Sequence, residues 1–158
     1  MPTNLERMIR LADEFFATKS DSSQLSVTEE DREKLQRLHP ATLSQQIEGD
    51  GPVAWILLIP TTEDLMEGFL TKGINEQELL NLTPQGAKYD AVYLCSALVL
   101  PEFRGKGIAK RVASDAIREI QKSHPIRSLF FWEFSPEGGS LADAVARETG
   151  LPVLKRPS

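Results

Sequence analysis

The sequence predicts an α/β protein, a mixed β-sheet flanked by helices, and three observations carry that prediction. Residues 90–100, "DAVYLCSALVL", and 127–134, "RSLFFWEF", are apolar runs of strand length with an amphipathic helical pattern between them. Strand, helix and strand in that order make a parallel pair joined by a right-handed crossover. Upstream, Glu48-Gly49-Asp50-Gly51 separates two more strand-like runs, and its Asp50-Gly51 pair signals an antiparallel hairpin. A chain of 158 residues suffices for one domain with a sizeable core, and residues 1–158 read as a single unit without repeats.

Each element follows from its pattern. Residues 3–19 set Leu5, Met8, Ile9, Leu11, Ala12, Phe15 and Phe16 at helical spacing, with Thr3 or Asn4 as cap. "SDSSQLS" (20–26) breaks that helix. Residues 27–39 open with Thr28-Glu29-Glu30-Asp31, a cap and an acidic first turn, and stop at His39-Pro40. The hairpin strands are expected at 42–48 and 53–59, the second apolar enough to be buried on both faces. Two short helices follow at 61–73, capped by Thr62 and closed by Gly73, and at 75–83. After the strand at 90–100, Ile108, Val112, Ala113, Ala116, Ile117 and Ile120 form one helical stripe. The strand at 127–134 leads into a loop, Ser135 to Gly139. A helix at 140–150 ends at Gly150, and "LPVLK" supplies a last short strand.

Composition narrows the function. With 41% hydrophobic and 26% charged residues the chain is ordinary for a soluble globular protein. A net charge of −5 argues against a nucleic-acid or anionic-membrane surface, which needs basic residues spread over a face. One cysteine, Cys95, allows no internal disulfide, and two histidines beside prolines, His39 and His124, suggest no metal centre. The start lacks the apolar stretch of a signal peptide and no membrane-spanning run occurs, so a cytoplasmic protein is expected.

Against that acidic background, residues 104–111 hold Arg104, Lys106, Lys110 and Arg111 together with Gly105 and Gly107. A helix that starts after the second glycine presents N–H groups with no partner inside the helix, and glycine lets an anion approach them. Such a knot suits a phosphate or diphosphate. The Walker pattern fails because the lysine lies between the glycines and no hydroxyl follows. The dinucleotide fingerprint fails because only two glycines are present.

Arg104-Gly105-Lys106-Gly107-Ile108-Ala109, preceded by an apolar strand and Pro101-Glu102-Phe103, resembles the acetyl-CoA-binding signature of the GNAT superfamily of N-acyltransferases. The resemblance implies a GNAT-like fold, a mixed sheet whose two parallel strands splay apart around the cosubstrate. It implies that the diphosphate of acetyl-CoA lies on the N–H groups of Gly105, Lys106, Gly107, Ile108 and Ala109, with Arg104 beside it. It further implies that the backbone of Leu98, Val99 and Leu100 pairs with the pantetheine arm. Lys110 and Arg111 either reach the nucleotide's outer phosphate or form a solvated helix face.

The resemblance also implies direct attack by an amine, a glutamate base on the central strand and a tyrosine acid on the last long helix. This chain departs at both places, with Tyr93 where one branch has the glutamate and Ala146 at the tyrosine position. Three side chains are candidates to substitute, each with a plainer reading. Tyr93 is a proton donor or a core aromatic, and Cys95, on the same side of the same strand, is a nucleophile or an inert small hydrophobe. Glu133 is a base raised by burial or a solvent-side residue. Ser140 reads as a helix cap. Trp132 with Phe130, Phe131 and Phe134 reads as core or as a wall of the acceptor pocket. The acidic segment 61–89, with Glu63, Asp64, Glu67, Glu76 and Glu78, is a solvated face or a cover suited to a cationic acceptor. The family's usual first strand is expected to be absent or supplied differently and its C-terminal hairpin to be short or incomplete, edges that a homodimer partner would cover. The leading expectation is thus an acetyltransferase acting on an amine. Its rival is a degenerate acyl-CoA-binding sensor or interaction domain.

Overall fold

The computed structural model describes residues 2–17, 28–133 and 136–157. The predicted break at 20–26, together with Phe134 and Ser135, falls outside them.

Helix α1 (Asn4–Ala17) is capped by Thr3, whose Oγ1 accepts from the Glu6 N–H at 3.1 Å. Asn4 has another task. Its N–H donates to Asp50 Oδ1 at 3.0 Å and its side-chain amide to the Glu48 carbonyl at 2.8 Å, which stitches the helix start to the hairpin. Helix α2 (Glu29–Leu38) begins with a reciprocal capping box between Thr28 and Asp31. His39 is extended and Pro40 opens a short 3-10 turn to Thr42.

Strands β1 (Leu43–Glu48) and β2 (Gly51–Thr61) form the predicted hairpin. Its turn is Gly49-Asp50, one residue earlier than the Asp50-Gly51 signal suggests, because Gly49 carries the positive φ of 60°. Helices α3 (Glu63–Leu70) and α4 (Glu76–Leu82) follow, capped by Thr62 and Asn75. The left-handed residue after α3 is Lys72, φ 66°, and not the expected Gly73, whose N–H bonds back to the Gly68 carbonyl at 2.7 Å.

Strand β3 (Ala91–Val99) pairs antiparallel with β2. After a 3-10 turn at Pro101–Phe103, helix α5 (Ile108–Gln121) crosses over to β4 (Ser128–Phe131), which is parallel to β3 as expected. Helix α6 (Pro136–Thr149) then leads to β5 (Val153–Lys155), parallel to β4. Among the described residues the sheet has five strands in the order β1-β2-β3-β4-β5.

Two boundaries correct the sequence reading. β4 ends at Phe131, not 134, because its hydrogen-bonding partners end there although the apolar run continues. α6 starts at Pro136, where proline fits a first helical position, so the expected loop at 136–139 is helix and Ser140 is interior to it, not its cap. The single short strand β5 is the last short strand expected of "LPVLK".

The core lies on both faces of the sheet. Phe69 of α3, Tyr93 of β3 and Phe130 of β4 stack in its centre, and Ile117 and Ile120 of α5 are fully buried. A second, smaller cluster of Met8, Val53, Leu98 and Leu100 attaches α1 to the ends of β2 and β3.

Candidate active site

The two parallel strands separate, as the family resemblance implies. Pairing of β3 with β4 ends at Leu94 opposite Phe131, while β3 continues against β2 to Val99. Beyond Leu94, therefore, β4 no longer pairs with the second edge of β3. Leu100 donates its N–H to the Val53 carbonyl at 2.9 Å, on the β2 side. Backbone direction alternates along a strand, so Val99 faces the open edge, and its carbonyl accepts from Arg104 Nε at 2.9 Å. Of the three strand-end residues singled out in the sequence, Val99 is thus the one with backbone groups turned to the gap.

The glycine knot stands at the mouth of this gap. Gly105 and Gly107 both have φ of 76°, a region that side chains with a Cβ rarely adopt. A Cβ added at either meets nothing within 4 Å, so the backbone angle requires glycine and the space in front is open. The first closing hydrogen bond of α5 runs from Arg111 N–H to the Gly107 carbonyl at 3.0 Å, which leaves the N–H groups of Ile108, Ala109 and Lys110 as the free first turn. Lys106 lies over the Phe103 ring at 5.6 Å, and Arg111 bonds Gln46 Oε1 at 2.9 Å. Arg7 of α1 grips Glu102 with two hydrogen bonds, of 2.6 and 2.7 Å, and so holds the neighbouring turn. That grip, with the Arg7 charge, keeps the Glu102 carboxyl down at about 2.

A cleft of about 870 Å³ runs from this mouth into the gap. Its walls are Leu11 and Phe15 of α1, the β3 residues Leu94 to Val99, the start of α5, Phe131 and Trp132 after the splay, and Leu141, Ala142 and Val145 of α6. Ala146, at the position expected to hold a tyrosine, packs against the core, and the α6 face on the cleft carries no hydroxyl.

The three catalytic candidates are not all brought together. Tyr93 and Cys95 are buried side by side on β3, and Cys95 lines the cleft. Glu133 lies past the end of β4, exposed, paired with Lys155 at 3.1 Å. Gly139 makes room for it, since a Cβ there would come within 2.6 Å of Glu133 Oε1. The buried carboxyl next to Tyr93 and Cys95 belongs instead to Glu76 of α4. Its Oε2 accepts a short hydrogen bond from the Tyr93 hydroxyl and a thiol contact from Cys95 at 3.8 Å. Burial, with Cys95 and Glu76 beside it, pushes the Tyr93 hydroxyl well above its ordinary value, so it stays a neutral donor.

Sequence reasoning places Glu76 on a solvated acidic face or in a cover over the site, and not beside Tyr93 and Cys95. The better signal is its spacing: Glu76, Leu79 and Leu80 share one helix face, and all three are buried. A second residue it misses is Arg156, just beyond β5, whose guanidinium is stacked on Phe69 at 4.4 Å and on Trp132 at 4.3 Å. Nothing in the local pattern announces that burial.

Among the described residues no group of three or more His, Cys, Asp or Glu is placed to hold a metal ion, and no helix is long and apolar enough to cross a membrane. No curated protein and no solved structure matches the chain. A family model described as acetyltransferase (GNAT) family matches residues 6–139, from α1 through the hairpin, the splayed strands and the glycine knot into α6. With that match over most of its length, the chain belongs to the GNAT acetyltransferase family.

Proposed function

We propose that the protein is an N-acetyltransferase that moves the acetyl group of acetyl-CoA to an amine by direct attack. The observation that carries this reading is the open edge of β3, with a glycine turn and the cations Arg104 and Lys110 lining the cleft beside it. The diphosphate would lie on the N–H groups of Gly105 to Ala109 with Arg104 close by, and the pantetheine arm along Val99. Bound acetyl-CoA supplies an activated thioester. In the transfer an N–C bond forms and the C–S bond breaks. The amine gives up a proton and the leaving thiolate gains one.

On the protein side, Glu76 is the proton acceptor in this reading, reached from the cleft through Cys95, and Tyr93 holds its carboxyl in place. The inserted segment 61–89 thereby provides the carboxyl that the central strand lacks. A homodimer that covers the open edge of β1 completes the reading, and sedimentation velocity tests it.

One observation favours a second reading, binding without turnover: the α6 residues on the cleft include no hydroxyl that could donate to the thiolate, and Ala146 stands where the family has its tyrosine. The two readings separate in one experiment. Purified protein is mixed with acetyl-CoA and a pool of amines, and release of free thiol is followed. Release well above the hydrolysis background supports the transferase. Thermal stabilisation by CoA without release supports the sensor, and the absence of both overturns the site.

A further inference from the structure

Arg156 is a full positive charge inside the protein. Its residue surface is 7% exposed, and its Nε and Nη1 have no hydrogen-bond partner among the described residues. The two aromatic rings that enclose it attract the cation but accept none of its forked N–H bonds. Arginine does not shed its proton to escape burial, and a buried charge without a partner is strongly unfavourable. Orphaned buried donors are rare in folded proteins, and an ordered water or the polar group of a ligand is what satisfies them.

The position says which group. Arg156 follows β5, and its own N–H bonds the Phe131 carbonyl at 2.8 Å, where β4 ends and the splay begins. Trp132, the ring on which it stacks, also lines the cleft. Its charge is felt at the Tyr93 hydroxyl, which itself donates to Glu76. The C-terminal ends of parallel strands are where open α/β sheets hold their ligands, and here one such end gathers a guanidinium fork and a carboxyl.

We propose that Arg156 is the receptor for a carboxylate carried by the acyl acceptor, so that the acceptor is an amino-acid-like amine and not a simple amine or polyamine. This rests on the acetyl-transfer reading above. Nε and Nη1 lie on different edges of the guanidinium, and either edge, one of them together with Nη2, matches a carboxylate bidentately. The two nitrogens are closed off from solvent, so the carboxylate reaches them as the Trp132 indole turns aside. Binding is therefore visible in the emission of that residue. The acid is held by Arg156 while the amine end points back along the gap toward Cys95 and Glu76.

The test compares glycine, alanine, leucine, phenylalanine, glutamate and lysine, each against its carboxamide, as acetyl acceptors. In the wild type at least one acid should exceed its amide by about tenfold or more in kcat/KM. Arg156→Met should erase that preference, and Arg156→Lys, which keeps the charge but loses the fork, should restore only part of it. Acids and amides used equally well would overturn the proposal while leaving acetyl transfer intact. So would a preference for succinyl-CoA over acetyl-CoA with no discrimination among acceptors, since the carboxylate would then belong to the acyl chain.

Absence of turnover with any amine would count against the transferase, and binding then judges Arg156 alone. In a Trp55→Phe background the N-acetylated acids should shift Trp132 emission and raise the melting temperature, and the N-acetylated amides should do neither. No difference between acids and amides there overturns the proposal. Stability separates a binding role from a structural one. Ligand-free Arg156→Met should melt no lower than wild type, because a methionine between two rings replaces an unpaired charge. A marked fall in melting temperature with unchanged acid preference identifies a merely structural arginine and overturns the assignment.

Discussion

The hydroxyl of Tyr93 shows how a single buried group is constrained. Fully enclosed, it stays protonated and its one donor goes to Glu76. Tyr93→Phe leaves a buried carboxyl oxygen short of a partner and should cost about 1–3 kcal/mol in urea unfolding. Gly107 is constrained differently, by a φ of 76° in front of open space. Gly107→Ala tests that strain alone and should cost about 1 kcal/mol of stability with modest loss of CoA affinity. Gly107→Glu adds a negative charge at the helix start and should remove measurable affinity in calorimetry while the circular dichroism spectrum stays native. Equal affinity in the two variants would contradict the placement of the diphosphate. At this scale legibility was uneven. The two glycines of the knot and the helix start that follows them are adjacent in sequence, so that turn is local and readable. Glu76 and Arg156 meet Tyr93, Cys95 and Trp132 only through tertiary packing, and the pairing of Glu133 with Lys155 needs the β4–β5 register.

Between elements, the ends of α2 and α5 meet through two histidine rings, edge to face at 6.1 Å. His39 Nδ1 accepts from the Ala41 N–H at 3.0 Å and His124 Nδ1 from the Tyr89 N–H at 3.3 Å, roles open only to the neutral ring. Desolvation lowers both below the ordinary histidine value, and Lys88 lowers His124 further. The unfolded chain therefore takes up protons first. The stability these histidines contribute is complete above their unfolded value and is lost as pH falls through their lower folded values. The melting temperature should fall from about pH 7 to about pH 5.5, and the double variant His39→Asn, His124→Asn should flatten that slope. Glu102, held near 2, keeps its charge throughout this window and does not contribute to the slope. The elements themselves were read correctly where periodicity and hydrogen bonding agree, as in the α5 stripe. They were misread where the two diverge. The aromatic run continues past Phe131 although the strand pairing stops. Pro136 with Gly138 and Gly139 has loop composition yet forms the first turn of α6.

Across the whole molecule, α1 stands apart from the rest of the core. It closes one wall of the cleft with Leu11 and Phe15, but its own anchorage is the small cluster around Met8 and the polar ties of Asn4 and Arg7. Amide exchange should be faster in α1 than in α5, whose apolar stripe is buried in the main core. Met8→Ala should cost about 2–5 kcal/mol and raise exchange in α1 before α5 responds. Simultaneous loss of protection in both helices would show that the chain opens as one unit. The bond from Arg104 to the Val99 carbonyl has a bearing on the same wall-and-edge arrangement. One side chain is both the cap on the strand's exposed oxygen and a cation poised at the rim. Whatever lures that guanidinium outward also unveils the oxygen, so an elongated guest would be greeted head first and then along its tail, in sequence.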